Sequence, residues 1–200
     1  MKLVLASNNA KKPGELQALF APPGLELLTQ GPLGIGEAEE PHATFVENAL
    51  AKARHAAANA GMAAIADDSG LCVGGWGGAV GVRAAPNATR SGEPKSDADN
   101  NRVLLEKMQG VDDRRARFVS ALVAVRSADD PEPLIAFGRW QGQLLGAPRG
   151  EGGFGYDPLL FIPELSASVA ELGAAQKNRH SHRAIAAAVM VGLMREVWKK

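Results

Sequence analysis

The stretch Ala63-Ala64-Ile65-Ala66-Asp67-Asp68-Ser69-Gly70 frames the rest of the chain. Residues 63–66 read as a short apolar strand that ends on two acids and a Ser-Gly turn signal. Carboxylates are rarely hidden unless they are paired or hold something. Adjacent strand residues point to opposite faces. Asp67 and Asp68 are therefore expected to differ in role. One faces a cleft and holds a cation such as Mg²⁺ or activates water; the other accepts backbone bonds in the Asp-Ser-Gly turn. Taken alone, such a sequence more commonly makes a plain Asx-type turn.

Upstream, Thr44-Phe45-Val46-Glu47 is a capping-box pattern, with Thr44 and Glu47 satisfying each other's backbone donors. It opens a long Ala-rich helix that stops at Gly61. At the N-terminus, residues 2–6 read as a strand, and the polar turn Ser7-Asn8-Asn9-Ala10-Lys11 follows. A helix starts near Lys12, with Pro13 in its first turn and Leu16, Leu19 and Phe20 on its inner face. A helix start offers free N–H groups and the positive end of the dipole. Ser7, Asn8 and Asn9 add donors and Lys11 and Lys12 add charge, which suits phosphate oxygens. The G-x-x-x-x-G-K-[ST] spacing of a P-loop is missing, and a capped surface helix with two solvated lysines has the same appearance. Residues 25–29 read as a second strand and 30–43 as a loop. Within that loop, one acid of Glu37-Ala38-Glu39-Glu40 either completes a cation site with Asp68 or is merely solvated.

Downstream, residues 74–96 read as loop, and Ser96-Asp97 begins a helix through Met108. Residues 118–125 and 134–145 form the longest strand candidates, an antiparallel pair with Asp129, Asp130 and Pro131 in the turn. In Gly152-Gly153-Phe154-Gly155-Tyr156-Asp157-Pro158 the glycines permit close backbone approach. Phe154 and Tyr156 suit stacking on a purine, worth roughly 1–3 kcal/mol per base, or else they are core aromatics on a glycine hairpin. Residues 159–162 are strand-like. Lys177 precedes His180-Ser181-His182-Arg183, which opens the last helix, running through Ile185, Val189, Leu193 and Val197. That start is friendly to anions, with Ser181 as its cap; two histidines without a third ligand do not make a zinc site. Strands alternating with helices point to an α/β fold with a mixed sheet.

The chain has 200 residues, 46% hydrophobic and 22% charged, enough for a substantial core. Lys and Arg number 22, as do Asp and Glu, so the net charge is zero. This balance argues against a nucleic-acid partner and leaves anion binding to local clusters. The single cysteine, Cys72, cannot pair within the chain, which fits a reducing compartment. No run reaches membrane-spanning length, and the first apolar stretch is too short for a signal peptide. The expectation is a cytoplasmic protein with no membrane partner.

In order, the carrying segments are Leu5-Ala6-Ser7-Asn8-Asn9-Ala10-Lys11-Lys12-Pro13-Gly14-Glu15, Thr44-Phe45-Val46-Glu47-Asn48-Ala49, Ala66-Asp67-Asp68-Ser69-Gly70-Leu71, Gly153-Phe154-Gly155-Tyr156-Asp157-Pro158 and Ser181-His182-Arg183. Together they resemble the inosine triphosphate pyrophosphatase family, the purine-preferring dITP/XTP pyrophosphatases, over nearly the whole chain. The resemblance implies one domain over residues 1–200, with two α/β lobes on a long mixed sheet, flanking helices and a nucleotide cleft between the lobes. It implies a Mg²⁺-dependent homodimer that hydrolyses ITP, dITP and XTP, small-molecule substrates, to monophosphate and pyrophosphate. Its catalytic acid, also a metal ligand, falls on Asp68, and its further metal-side acid falls on Glu40, next to Glu39. Triphosphate contacts fall on Ser7, Asn8, Asn9, Ala10, Lys11, Lys12, Ser69 and Lys177. Base-side contacts fall on Phe154, Gly155, Tyr156 and Asp157, and on His182 and Arg183. The family's Pro-Gly-x-x-Ser-Ala-Arg-Tyr-like stretch is replaced here by Val80-Gly81-Val82-Arg83-Ala84-Ala85-Pro86-Asn87. A Maf-type nucleotide pyrophosphatase would begin with a Ser-Pro-Arg-Arg-like turn, which Asn8-Asn9-Ala10-Lys11 does not match.

Overall fold

Among the described residues, seven strands form one mixed sheet in the order β2-β1-β3-β4-β5-β6-β7. The computed structural model describes residues 1–7, 12–76 and 96–198. In chain order the elements are β1 (Lys2–Leu5), α1 (Lys12–Phe20), β2 (Glu26–Thr29), α2 (Phe45–Ala60), β3 (Ala64–Val73) and α3 (Asp97–Lys107). They continue with β4 (Arg115–Val125), β5 (Leu134–Leu144), β6 (Leu160–Ile162), β7 (Ala167–Ser168), α4 (Ala174–His180) and α5 (His182–Val197). β1 pairs in parallel with β2 and with β3, and each parallel connection carries a crossover helix, as such pairing requires. β6 pairs antiparallel with both β5 and β7, which makes the sheet mixed.

The chain divides into two compact units. The first comprises Met1–Ser69, Ser120–Arg139 and His180–Lys200. In it, strand alternation sorts β1 and β3 into two faces. Leu3, Leu5 and Ile65 pack with Leu16 and Phe20 of α1 and Met190 of α5. Val4, Ala6, Ala64 and Ala66 pack with Ala49, Ala53 and Ala56 of α2. Each large apolar side chain buried here contributes roughly 1.5–3 kcal/mol. The alanines of α2 let that helix lie close on the strands, which brings its polar residues within reach of the strand ends. The second unit comprises Gly70–Val119 and Trp140–Arg179, with a core of Leu71, Val73, Leu104, Phe118, Trp140 and Leu160.

Two local expectations change. β3 does not stop at residue 66 but continues to Val73, because Leu71, Cys72 and Val73 are themselves buried. The Asp-Ser-Gly segment is therefore strand, not turn, and Asp67 accepts no turn backbone there. Thr44 caps α2 by accepting from the Glu47 amide, but the Glu47 carboxylate takes the Thr44 hydroxyl instead of a backbone N–H. In α5 the buried face is Ala186, Ala187, Met190 and Met194, while Ile185 and Val189 are exposed. A further helix, α4, precedes α5 and has no clear signal in the sequence.

One glycine sets the start of α5. A Cβ built on Gly138 of β5 would lie 1.8 Å from the His182 carbonyl oxygen. Only a residue without a side chain lets β5 and the first turn of α5 approach so closely. That contact fixes where His182 and Arg183 begin.

Candidate active site

Asp67 lies on the α1/α5 face of β3, next in alternation to Ile65, and is fully buried. Its Oδ1 accepts from Ser120 Oγ at 2.6 Å. Its Oδ2 accepts from Ser69 Oγ at 2.5 Å and from Arg183 Nε at 3.3 Å, and it lies 3.4 Å from Lys12 Nζ. Burial by itself would raise this carboxyl's pKa, but the Arg183 and Lys12 charges and the two serine hydroxyls outweigh it. The carboxylate is held well below its usual range and stays ionised. Arg183, also buried, donates from Nη1 to Glu15 at 2.9 Å and from Nη2 to Ser69 Oγ at 2.9 Å. Ser69 thus receives a bond from Arg183 and passes one to Asp67.

Asp68 faces α2. Asn48 and Lys52, four residues apart on that helix and so on one stripe, both reach it. Lys52 Nζ donates to Oδ1 at 3.1 Å, and Asn48 Nδ2 lies 3.5 Å from Oδ2. The same ammonium is 3.3 Å from Glu40, so two carboxylates share one cation. Burial raises the Asp68 pKa; Lys52 pulls it down and Glu40 pushes it up, and the net direction is upward. A cavity of about 170 Å³ opens beside this cluster, lined by Ser7, Lys12, Glu37, Glu40, Lys52 and Asp67. Asp68 meets it through Lys52. Two carboxylates at a phosphate-friendly cavity match the donor set of Mg²⁺, which favours one or two carboxylates with phosphates and waters. Among the described residues, no group of three or more His, Cys, Asp and Glu gathers at one point.

In the second unit, Phe154 to Asp157 form a closed loop. Asp157, buried, accepts from the Phe154 amide at 2.9 Å and from Lys177 Nζ at 2.8 Å. Lys177 Nζ also lies 4.7 Å from the centre of the Phe154 ring, a cation–π contact. Lys177 comes from α4 and is buried.

The structure thus gathers Ser7, Lys12, Glu40, Asp68, Ser69 and Arg183 within the first unit, with Asp67 among them. It gathers Phe154, Gly155, Tyr156, Asp157 and Lys177 within the second. His182 is buried at the first turn of α5. Asn8, Asn9, Ala10 and Lys11, and the divergent loop 80–90, lie outside the described residues. Sequence reading missed Lys52, Asn48, Glu15 and Ser120. For Lys52 a signal was present: a lysine in register with Ala49, Ala53 and Ala56 on the buried stripe of an otherwise alanine-lined helix. No helix of the described residues is long and apolar enough to cross a membrane.

Comparison with known proteins shows the family. The Ham1 family pattern matches residues 3–193. A dITP/XTP pyrophosphatase of Methylibium petroleiphilum is 65% identical over 206 residues, covering 99% of each chain. One of Leptothrix cholodnii is 63% identical over 209 residues, again covering 99% of each. The solved structure of a HAM1 protein from Coxiella burnetii superposes with a TM-score of 0.88 at 37% identity, covering 98% of this chain and 100% of that one. From end to end, in sequence and in fold, this chain belongs to the Ham1 family.

Proposed function

We propose that this chain hydrolyses non-standard purine nucleoside triphosphates, ITP, dITP and XTP, to the monophosphate and pyrophosphate. It would act in the cytoplasm with Mg²⁺ as its cofactor. The observation that carries the reading is the convergence of Asp68 and Glu40 on Lys52 beside a cavity that also presents Lys12 and Ser7. The names of the relatives support it.

Asp68 and Glu40 would hold the metal, whose charge would neutralise phosphate oxygens and the charge that grows in the transition state. Asp68 would also take the proton of an attacking water. The water oxygen bonds to the α-phosphorus, the α–β bridging bond breaks, and pyrophosphate leaves with that electron pair. Lys12, together with Ser7, Asn8, Asn9, Ala10, Lys11 and Ser69, would bind the triphosphate, and Lys177 is assigned there with them. Phe154, Gly155, Tyr156 and Asp157, with His182 and Arg183, would serve the base. Hypoxanthine and xanthine present an acceptor at position 6 where adenine presents a donor. Arginine only donates, so a guanidinium directed there would favour the 6-oxo base. Because Arg183 is also bonded to Glu15, Asp67 and Ser69, it would be a held donor, not a mobile one.

The test is a panel of ITP, XTP, GTP and ATP with Mg²⁺ and separate detection of pyrophosphate and orthophosphate. ITP yields IMP and pyrophosphate in one step; IDP with orthophosphate as first products would reject the assignment. Residues 1–200 would make up one nucleoside triphosphate pyrophosphatase domain. A homodimer is supported by Ile185 and Val189, exposed one turn apart on α5, and sedimentation equilibrium measures it.

A further inference from the structure

Gly155 stands between Phe154 and Tyr156 with φ at +62°, a left-handed conformation that favours glycine. Both of its backbone polar groups, which belong to the two peptide units flanking its Cα, are tied to one helix. Its amide donates to Asp97 Oδ2 at 2.9 Å. Its carbonyl accepts from Asn101 Nδ2 at 3.1 Å. Asp97 and Asn101 are four residues apart on α3 and so share a face. Ser96 caps that helix by accepting from the Asp99 amide, which fixes its first turn and with it Asp97. Asn101 is buried, and its amide can present only Nδ2 to the glycine carbonyl, since Oδ1 would meet acceptor with acceptor. On its other side the loop is closed by Asp157, which bonds the Phe154 amide and Lys177. A cavity of about 660 Å³ in this unit is lined by Asp97, Asn101, Gly153, Phe154 and Gly155 among others.

We infer that Asp97 and Asn101 are positioning residues for base recognition. They clamp Gly155 so that the Phe154 ring is presented to the base in one orientation before substrate arrives. The inference rests on the proposed base-side role of Phe154 to Asp157. A residue held at both its N–H and its C=O has little freedom left, so the ordering cost falls on folding and not on binding. The clamp therefore acts on substrates that carry a base and is indifferent to those that do not.

The experiment compares ITP with ribose 5′-triphosphate, which keeps the sugar and phosphates and lacks the base, both with Mg²⁺. Asp97→Ala and Asn101→Ala each raise KM for ITP by on the order of tenfold, with kcat within about twofold, because uniform binding is lost. For ribose 5′-triphosphate, kcat/KM stays within about twofold. Asp97→Asn keeps a carbonyl acceptor for the Gly155 amide and stays near wild type. Both Asp97 variants remove the same charge from the start of α3, so their difference reports the loss of the acceptor side chain at constant charge. A proportional loss on both substrates, or no change on either, overturns the inference. If Asp97→Ala does not fold, Asn101→Ala carries the same readouts. Phe154→Ala separates the two layers of argument. If it leaves the ITP preference intact, the base-side reading fails and the clamp with it. If it abolishes the preference while the α3 variants do not, the clamp alone is wrong.

Discussion

Asp67 faces α1 and α5, and two cations, Lys12 and Arg183, lie within 3.4 Å of its Oδ2. Asp68, one residue on, faces α2 and shares a single ammonium, that of Lys52, with Glu40. The two carboxylates are covalent neighbours with opposite electrostatic settings. Around Asp67, among the described residues, its own charge and that of Glu15 face two cations, and the hydroxyls of Ser69 and Ser120 donate to it. Around Asp68, among the described residues, two acids contact one base, Lys52, and Lys12 acts on Asp68 only as the weakest of its charged influences. Burial acts on both, but only at Asp67 is it overcome. A neutralised, fully bonded carboxylate holds the protein together; an under-compensated one attracts a cation and accepts a proton. The strand pleat, which sends adjacent side chains to opposite faces, makes this division possible.

The largest effect is expected at Asp68. Asp68→Asn cannot act as a base, and ITP turnover should fall by about 10²–10⁴-fold. Its thermal midpoint should match or exceed the wild type, since burial already disfavours the charge. Steady-state kinetics and thermal unfolding of one preparation measure both. Full activity in Asp68→Asn with an inactive Asp67→Asn would reverse the assignment.

Next comes the other face. Arg183→Ala leaves a buried carboxylate with one cation instead of two. Breaking one partner of a buried pair costs about 3–5 kcal/mol, a large share of a typical stability of about 5–15 kcal/mol. Urea unfolding at neutral pH checks this; a loss under about 1 kcal/mol would mean that Lys12 and the serines suffice. Lys52→Met tests the shared cation. It should lower kcat for ITP by about 10²-fold, comparable to removal of one preorganised donor. Unchanged kinetics would show that Asp68 and Glu40 work without it.

The smallest effect is expected at Asp130, which does what the sequence suggests for Asp67. It is buried in the turn between β4 and β5, and it accepts from the amides of Arg126 at 2.8 Å and Glu132 at 3.1 Å. Hydrogen bonds from Arg126 hold its carboxyl well below the usual range. A depressed folded-state pKa gives stability that is present above the unfolded value, near 3.9, and lost as pH falls through the folded one. Asp130→Asn should therefore cost about 0.5–1.5 kcal/mol at neutral pH. The gap from wild type should close as the pH drops below about 4. A gap independent of pH would assign the loss to geometry instead of charge.

The alternation of strands and helices, the start of α1, both ends of α2 and the cap of α5 at Ser181 are legible in the sequence because they depend on neighbours a few residues apart. The paired acids at 67 and 68 also announce a division of labour, since the period-two pleat is a local property. Which acid takes which role is not local. It depends on Arg183 and Ser120, which are 116 and 53 residues from Asp67, and on Lys52 from the opposite side of β3. The expected turn at Asp67-Asp68-Ser69-Gly70 fails for the same reason: Leu71 and Val73 find a core in the folded chain, and burial extends the strand through a segment that reads locally as a turn. Sequence by itself determined the main alternation of strands and helices, though not α4 or the full length of β3, and the residue types available for chemistry. Only the tertiary structure decided which charges are neutralised, because charge compensation acts through space and burial, and neither follows the order of the chain.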